Sequence, residues 1–277
     1  MPGLTVAVQP AQQDSPAGAA GSSGRMLLNR TSKVFEAGYC MLADRTSSLM
    51  EDLSFLHVRE RGYYDGLRAG KRRSEYLLGR KAAKGAIHVL APGVDPASIA
   101  IDFGVFQFPV LQCAELHNLQ VSISHCNEIS VALAFPEEHP MGIDLERLDP
   151  DNAEIMKGLL TSREAGLIAE SSLDLSVGSA LIWTVKEALS KIFRTGLTVD
   201  TAMLAIASLE MGAGMDAPVC CSFQHVSQYR SFSFIVGDHI CSLVLPKNTD
   251  PQLDLFFAAY RSLFIPTPPP SSYSSIL

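Results

Sequence analysis

The chain has 277 residues, with 22 Lys and Arg against 29 Asp and Glu, a formal net charge of −7, 47% hydrophobic residues and a mean hydropathy of +0.16. So acidic a molecule lacks the positive field that gathers a polynucleotide, and no run approaches the ~18 apolar residues of a membrane span, so neither nucleic acid nor membrane is an expected partner. The length suits one large domain or two lobes, and composition excludes collagen, coiled coil and wholesale disorder.

Residues 1–26 are rich in Pro, Ala, Gly, Ser and Gln and read as a disordered tail. They carry neither the basic start and apolar block of a secretory signal nor the Arg content of a transit peptide, so the cytoplasm is the expected compartment. The folded body is expected as an N-terminal lobe over 27–140 and a C-terminal lobe over 141–264, with a second tail, rich in Pro and Ser, over 265–277. Six cysteines, Cys40, Cys113, Cys126, Cys220, Cys221 and Cys241, show no metal-binding spacing and are expected as packed, reduced thiols.

The first strong element is a helix from Ser74 to Leu90, stopped by Ala91-Pro92-Gly93. Between Arg59 and Lys84 lie nine basic side chains against Glu60, Asp65 and Glu75, a local +6. Arg73, Leu77, Arg80 and Lys84 share one helical stripe, a focused positive patch suited to a small polyanion with several phosphates; a solvated basic face is the plainer reading for Lys71, Arg72 and Lys81. Two short β runs, Val121–Ser124 and Ser130–Phe135, flank a turn-like His125-Cys126-Asn127-Glu128. At a strand end, His125 and the Ser124 hydroxyl can donate to a phosphate. No G-x-S-x-G elbow supports a Ser–His hydrolase, and His125, Cys126 and His139 lack zinc-ligand spacing.

Met141–Leu148 alternates as a half-buried strand, sending Asp144 and Glu146 to one face. Two carboxylates so placed repel unless solvent or a cation screens them, and an all-oxygen set favours a hard ion such as Mg²⁺. Thr161 and Glu164 fit a capping box. The longest helix, Ser179–Arg194 with Gly196 beyond it, puts Leu181, Ile182, Val185, Ala188, Leu189, Ile192 and Phe193 on a core arc. Trp183, Glu187 and Lys191 follow at i, i+4 and i+8 on the opposite side. A lone Trp there calls for cover by another element, which would set Glu187 and Lys191 at the margin of a cleft. A hairpin turning at Gly237-Asp238 closes the body. Strands and helices alternate in both halves, so an α+β or α/β architecture in two lobes fits best, although no sequence repeat is convincing.

Taken in order, GRKAAKGAI (79–87), SISHC (122–126), GIDLE (142–146), TSREAGL (161–167), WTVKEALSK (183–191) and RTGL (194–197) resemble the 4′-phosphopantetheinyl transferases of the larger, two-lobed monomeric class that activates siderophore, peptide and polyketide synthases. The resemblance covers roughly residues 50–200. It implies two similar α+β lobes related by a pseudo-twofold, with coenzyme A in the cleft between them and an apo acyl or peptidyl carrier protein as acceptor. By the same resemblance Asp144, Glu187 and Glu146 would hold Mg²⁺. Lys191 would stabilise the departing 3′,5′-ADP, and Ser124 and His125 would contact phosphates. Arg80, Lys84 and Arg73 would face the adenosine end and its 3′-phosphate. Either Glu187 or Glu146 would accept the serine proton. Cys126 departs from the serine usual in the family. Two other readings compete: a Mg²⁺-dependent hydrolase of coenzyme A or a related dinucleotide, and a non-catalytic coenzyme A- or carrier-binding module.

Overall fold

The computed structural model describes residues 19–44, 52–214 and 217–264. A long hairpin, β1 (Ala19–Asn29) and β2 (Val34–Asp44), leads to helices α1 (Val58–Gly66) and α2 (Gly70–Leu90). Two hairpins follow, β3 (Ala100–Phe103) with β4 (Pro109–Gln112) and β5 (Leu119–Cys126) with β6 (Ile129–Pro136). The second half runs β7 (Gly142–Arg147), α3 (Pro150–Gly158), α4 (Ser162–Glu170) and α5 (Leu175–Phe193). It ends with β8 (Ile206–Glu210), β9 (Val219–Phe223), β10 (Tyr229–Val236), β11 (His239–Pro246), β12 (Asp250–Pro251) and α6 (Asp254–Ser262). The fold is α+β. Among the described residues no helix is long and apolar enough to cross a membrane, and all six cysteines are unpaired.

The expected N-terminal tail is overturned for residues 19–26, which form most of β1 and pair with β2 in unbroken register. The small residues that imitate disorder there answer a packing need: a Cβ at Gly24 would strike the Tyr39 ring, and one at Gly21 the Leu42 side chain. The remaining expected tail residues, 1–18 and 265–277, lie outside the described residues. Nor is His125-Cys126 a turn: β5 continues through Cys126, and the turn is Asn127-Glu128, with Asn127 at φ 53°.

Two five-stranded sheets, β12-β1-β2-β6-β5 and β7-β11-β10-β9-β8, form the frame. Period two divides each strand between two cores. Odd positions such as Tyr39, Met41, Val131 and Leu133 of the first sheet meet Ile143, Leu145, Phe234 and Leu243 of the second in a shared interior closed by Phe256 and Tyr260 of α6. The opposite faces take helices: α2 covers Cys40, Leu42, Ala132 and Ala134, while α5 covers Ile240 and Val244 through Leu181, Val185 and Leu189. Because β7 is thus covered on both sides, Gly142–Leu145 are all buried, and the strand is not half-exposed as its alternation suggested. Phe193 leaves the predicted core arc; it is exposed and packs edge-on against Tyr229.

A repeated unit underlies this frame. In each half a strand precedes a helix, a hairpin follows, and a second hairpin returns to pair with the first strand. Gly38 lies against the Ala86 carbonyl of α2, and Gly142 against the Ala188 carbonyl of α5; neither has room for a Cβ. Glu60, at the third position of α1, accepts from His57 N, Ile101 N and Lys84 Nζ. Glu164, at the third position of α4, accepts from Thr161 N (2.8 Å), Ile206 N (2.9 Å) and Lys186 Nζ (2.8 Å). Each buried carboxylate ties a helix start, a following strand and the main helix together, and each Lys completes the pairing that makes burial of both charges tolerable.

Candidate active site

The repeat is broken where chemistry is possible. Aligned on the two glycines and the two buried lysines, Cys40, Leu42 and Gly85 of the first half fall where Asp144, Glu146 and Glu187 stand in the second. A Cβ at Gly85 would collide with Cys40 Sγ, so the first half is closed and apolar at that position. In the second half, Asp144 and Glu146 point from β7 toward α5, which presents Trp183, Glu187 and Lys191 along one half-buried stripe.

Asp144 is 4% exposed. Its Oδ1 accepts from Lys191 Nζ and from Ser124 Oγ, both at 2.8 Å, while its Oδ2 is buried with no hydrogen-bond partner. Trp183 Nε1 donates to Glu146 Oε1 at 3.3 Å, and the half-buried indole packs against the core under α5. Burial, then the neighbouring Asp144 charge, pushes the Glu146 carboxyl up. Glu187 is pushed further, to about 7: burial acts first, the Asp144 and Glu146 charges add to it, and Lys191 works against it. Three coupled carboxylates therefore share one cleft with one ammonium. Among the described residues, no three Asp, Glu, His or Cys side chains converge as a ready-made metal cluster; Lys191 and Trp183 hold two of the acids.

The cleft exists because two edge strands meet in it. β5 ends the first sheet and β7 the second, and they lie side by side with no backbone ladder between them. An edge strand leaves N–H and C=O groups unpaired. Here Ser122 Oγ takes the N–H of Ile143 at 3.1 Å and Ser124 Oγ that of Leu145 at 3.2 Å. Lys191 Nζ donates to Ile123 O (3.1 Å) and Ile143 O (2.8 Å), one carbonyl from each sheet. Ser124 therefore holds Asp144 and β7, and its hydroxyl is not free on the cleft wall for a phosphate. His125 is exposed and faces a cavity.

Two cavities open beside these strands, with Gln107, Pro109 and Ile123 in both walls. One, of about 220 Å³, is bounded by Glu187, Lys191, Phe106, Phe108, Met141 and Arg194. The other, of about 350 Å³, is bounded by Arg72, Arg80, His125, Tyr63, Tyr76 and Phe103. The Arg80 guanidinium lies 4.6 Å from the Tyr76 ring centroid and 4.9 Å from that of Phe103; its Nε forms a buried ion pair with Glu60 Oε1 at 3.3 Å, and one terminal nitrogen finds no hydrogen-bond acceptor. Arg80 is thus a stacked cation on a cavity wall. Lys84 is not: it is 3% exposed, and Nζ gives its protons to Phe55 O, Glu60 Oε2 and Pro96 O. Its expected contact with a ligand is corrected to a structural role, because it is buried and borders neither cavity. Arg73 stacks over Tyr64 at 4.3 Å and borders neither cavity. Arg72 is exposed, as read from sequence, and also lines this cavity. Ser122, Glu60 and Lys186 escaped the sequence reading. The two lysines offered the only usable signal, each standing two residues before an alanine that backs a strand glycine.

Residues 140–244 match the family described as the 4′-phosphopantetheinyl transferase superfamily. The matched stretch carries Asp144, Glu146, Glu187 and Lys191. Among solved structures, the chain is similar to a holo-(acyl-carrier-protein) synthase from Bacillus anthracis str. Ames in complex with CoA (3′,5′-ADP), at 26% identity over 40% of this chain and 96% of that one, with a TM-score of 0.33. No curated protein matches the chain.

Proposed function

We propose that this protein, acting as a cytoplasmic monomer, transfers the 4′-phosphopantetheine group of coenzyme A to a serine of an acyl or peptidyl carrier protein in a Mg²⁺-dependent reaction, releasing 3′,5′-ADP. The observation that carries the reading is the Asp144–Lys191 contact at the junction of the two sheets, with Glu146 and Glu187 beside it and Asp144 Oδ2 unpartnered in a buried position. An orphaned carboxylate oxygen, a second acid pushed up to about 7 and an all-oxygen donor set fit a hard divalent cation. Asp144, Glu146 and Glu187 would hold it, and bound there it would neutralise diphosphate charge and act as Lewis acid.

The chain's own residues supply the rest. Arg80 and Arg72 offer positive charge, and the exposed His125 a ring N–H, along a cavity walled by Tyr63, Tyr76 and Phe103, suited to a nucleotide bearing a 3′-phosphate. Lys191, partly exposed on the wall of the adjoining cavity, would set its positive charge beside the oxygen on which negative charge develops as 3′,5′-ADP departs. Glu187 is the carboxylate best matched to accept the serine proton, directly or through water, since burial and two neighbouring carboxylates raise its affinity for a proton. The serine oxygen bonds to the phosphorus nearest the pantetheine arm, and the bond from that phosphorus to the 3′,5′-ADP oxygen breaks. Positioning of the two partners supplies much of the acceleration.

The test is mass spectrometry of a panel of purified apo-carrier proteins incubated with coenzyme A, with and without Mg²⁺. One added phosphopantetheine on a carrier, dependent on Mg²⁺, is the expected result. Consumption of coenzyme A without carrier modification would favour the hydrolase reading, and no consumption at all the binding module. Asp144→Ala should abolish transfer while leaving circular dichroism unchanged; a wild-type rate refutes the metal assignment.

A further inference from the structure

Trp183 sits one helical turn before Glu187 on α5, so the face that carries the central acid also carries the chain's single indole. The ring packs against the core beneath α5, while its N–H reaches across to Glu146 Oε1 at 3.3 Å. An indole nitrogen donates only, so it can pair with the carboxylate but cannot replace it as a ligand. Glu146 is half-buried at the open end of β7, and the next residue, Arg147, is exposed and bound to Asp238. A glutamate has three rotatable bonds. Lys191 attracts Glu146 from the same helix, but Trp183 is the α5 side chain that hydrogen-bonds it and so fixes the rotamer that faces Asp144 and Glu187. Asp144 is held by Lys191 and Ser124, so Glu146 is the member of the set that depends on Trp183.

We propose that Trp183 is a positioning residue: its indole N–H holds the Glu146 carboxylate at the cleft so that Asp144, Glu146 and Glu187 can take a divalent cation together. This rests on the reading of the three acids as the cation site. Outer partners of metal ligands typically contribute 10–100-fold to affinity or activity.

The test uses the full chain and Mn²⁺ as probe, with binding read by electron paramagnetic resonance. Trp183→Phe keeps the packed ring and removes the donor. It should bind Mn²⁺ about ten-fold more weakly, with the melting temperature and metal-free coenzyme A affinity unchanged, and Trp183→His, which keeps a ring N–H, should recover part of the loss. Equal Mn²⁺ affinity in Trp183→Phe overturns the proposal and leaves the cation site standing, as does a parallel loss of melting temperature and coenzyme A affinity, the mark of a packing role only. No Mn²⁺ binding by the wild type overturns both. If Trp183→Phe does not fold, the wild type still decides. With a single tryptophan, its emission must shift as calorimetrically measured Mg²⁺ binding saturates, and an unmoved spectrum refutes the contact.

Discussion

Glu187 is caught between opposing influences: burial and two neighbouring carboxylates favour its neutral form, while Lys191 favours the charged one. The first group prevails, and the consequence has a definite sign. The folded-state value, about 7 against an ordinary 4.5, lies above that of the unfolded chain. The metal-free fold therefore carries no penalty below pH 4.5 and an increasing one as pH rises through 7. At 1.36 kcal/mol per unit the full penalty is at most about 3 kcal/mol. Glu187→Gln in a chelator should match the wild type near pH 4.5 and be more stable at pH 8, as followed by thermal denaturation; a difference independent of pH contradicts the buried cluster. Lys191 joins both sheets and, among the described residues, is the sole cation on Asp144. Lys191→Ala should cost about 3–5 kcal/mol by leaving a buried carboxylate unpaired, and should lower kcat more than it raises KM for coenzyme A. An effect confined to KM contradicts its role at the leaving group. The sequence exposed this stripe because i, i+4, i+8 spacing is a local property of any helix. It could not expose Ser122 or the closed environment of Lys84, whose partners lie 21 and 24 residues away in the chain.

Helix α5 meets β7 at a point where no side chain fits. A Cβ on Gly142 would run into the Ala188 carbonyl, and helix backbone cannot yield as a flexible side chain can. Gly142→Ala should therefore move α5 outward, cost about 1–3 kcal/mol as overpacking does, and separate Glu187 and Lys191 from Asp144. Loss of transfer with a modest fall in melting temperature is expected; full activity would show that the approach is not needed. The start of α4 is held differently. Glu164 is fully buried and joins Thr161, Lys186 and Ile206. Glu164→Ala strands Lys186 and should cost about 3–5 kcal/mol in chemical denaturation, whereas an exposed ion pair such as Lys157–Glu154 is worth less than about 1 kcal/mol. The capping box itself was legible, since Thr-x-x-Glu is a contiguous pattern. That the same glutamate also anchors a strand 42 residues later was not.

Two sheets with the same succession of elements share one interior, and the cleft lies where their edge strands run past each other. Serine hydroxyls, not a backbone ladder, satisfy β7 along this seam. Ser122→Ala with Ser124→Ala leaves the buried N–H groups of Ile143 and Leu145 unpaired, at about 1–3 kcal/mol each. Hydrogen exchange should quicken at those two amides before it does elsewhere in β7; unchanged protection means that the sheets are joined by other contacts. The unequal halves also place a single candidate site in the molecule. Cys40, Leu42 and Gly85 close the first half where Asp144, Glu146 and Glu187 open the second.

By itself the sequence determined whatever depends on short spacing: the two main helices, the strand carrying Asp144 and Glu146, the capping box, and the stripe of Trp183, Glu187 and Lys191. Each rests on a period of two or 3.6 residues, or on contiguous residue types. Tertiary structure alone decided that the Gly/Ser-rich start is a strand crossed by Tyr39 and Leu42, and that Lys84 is buried on Glu60 while Arg72 reaches the cavity wall. It alone decided that Ser124 holds a carboxylate and that Trp183 reaches Glu146. These outcomes turn on burial and on which distant atom satisfies a donor, and both are set only when the two sheets pack around their common core.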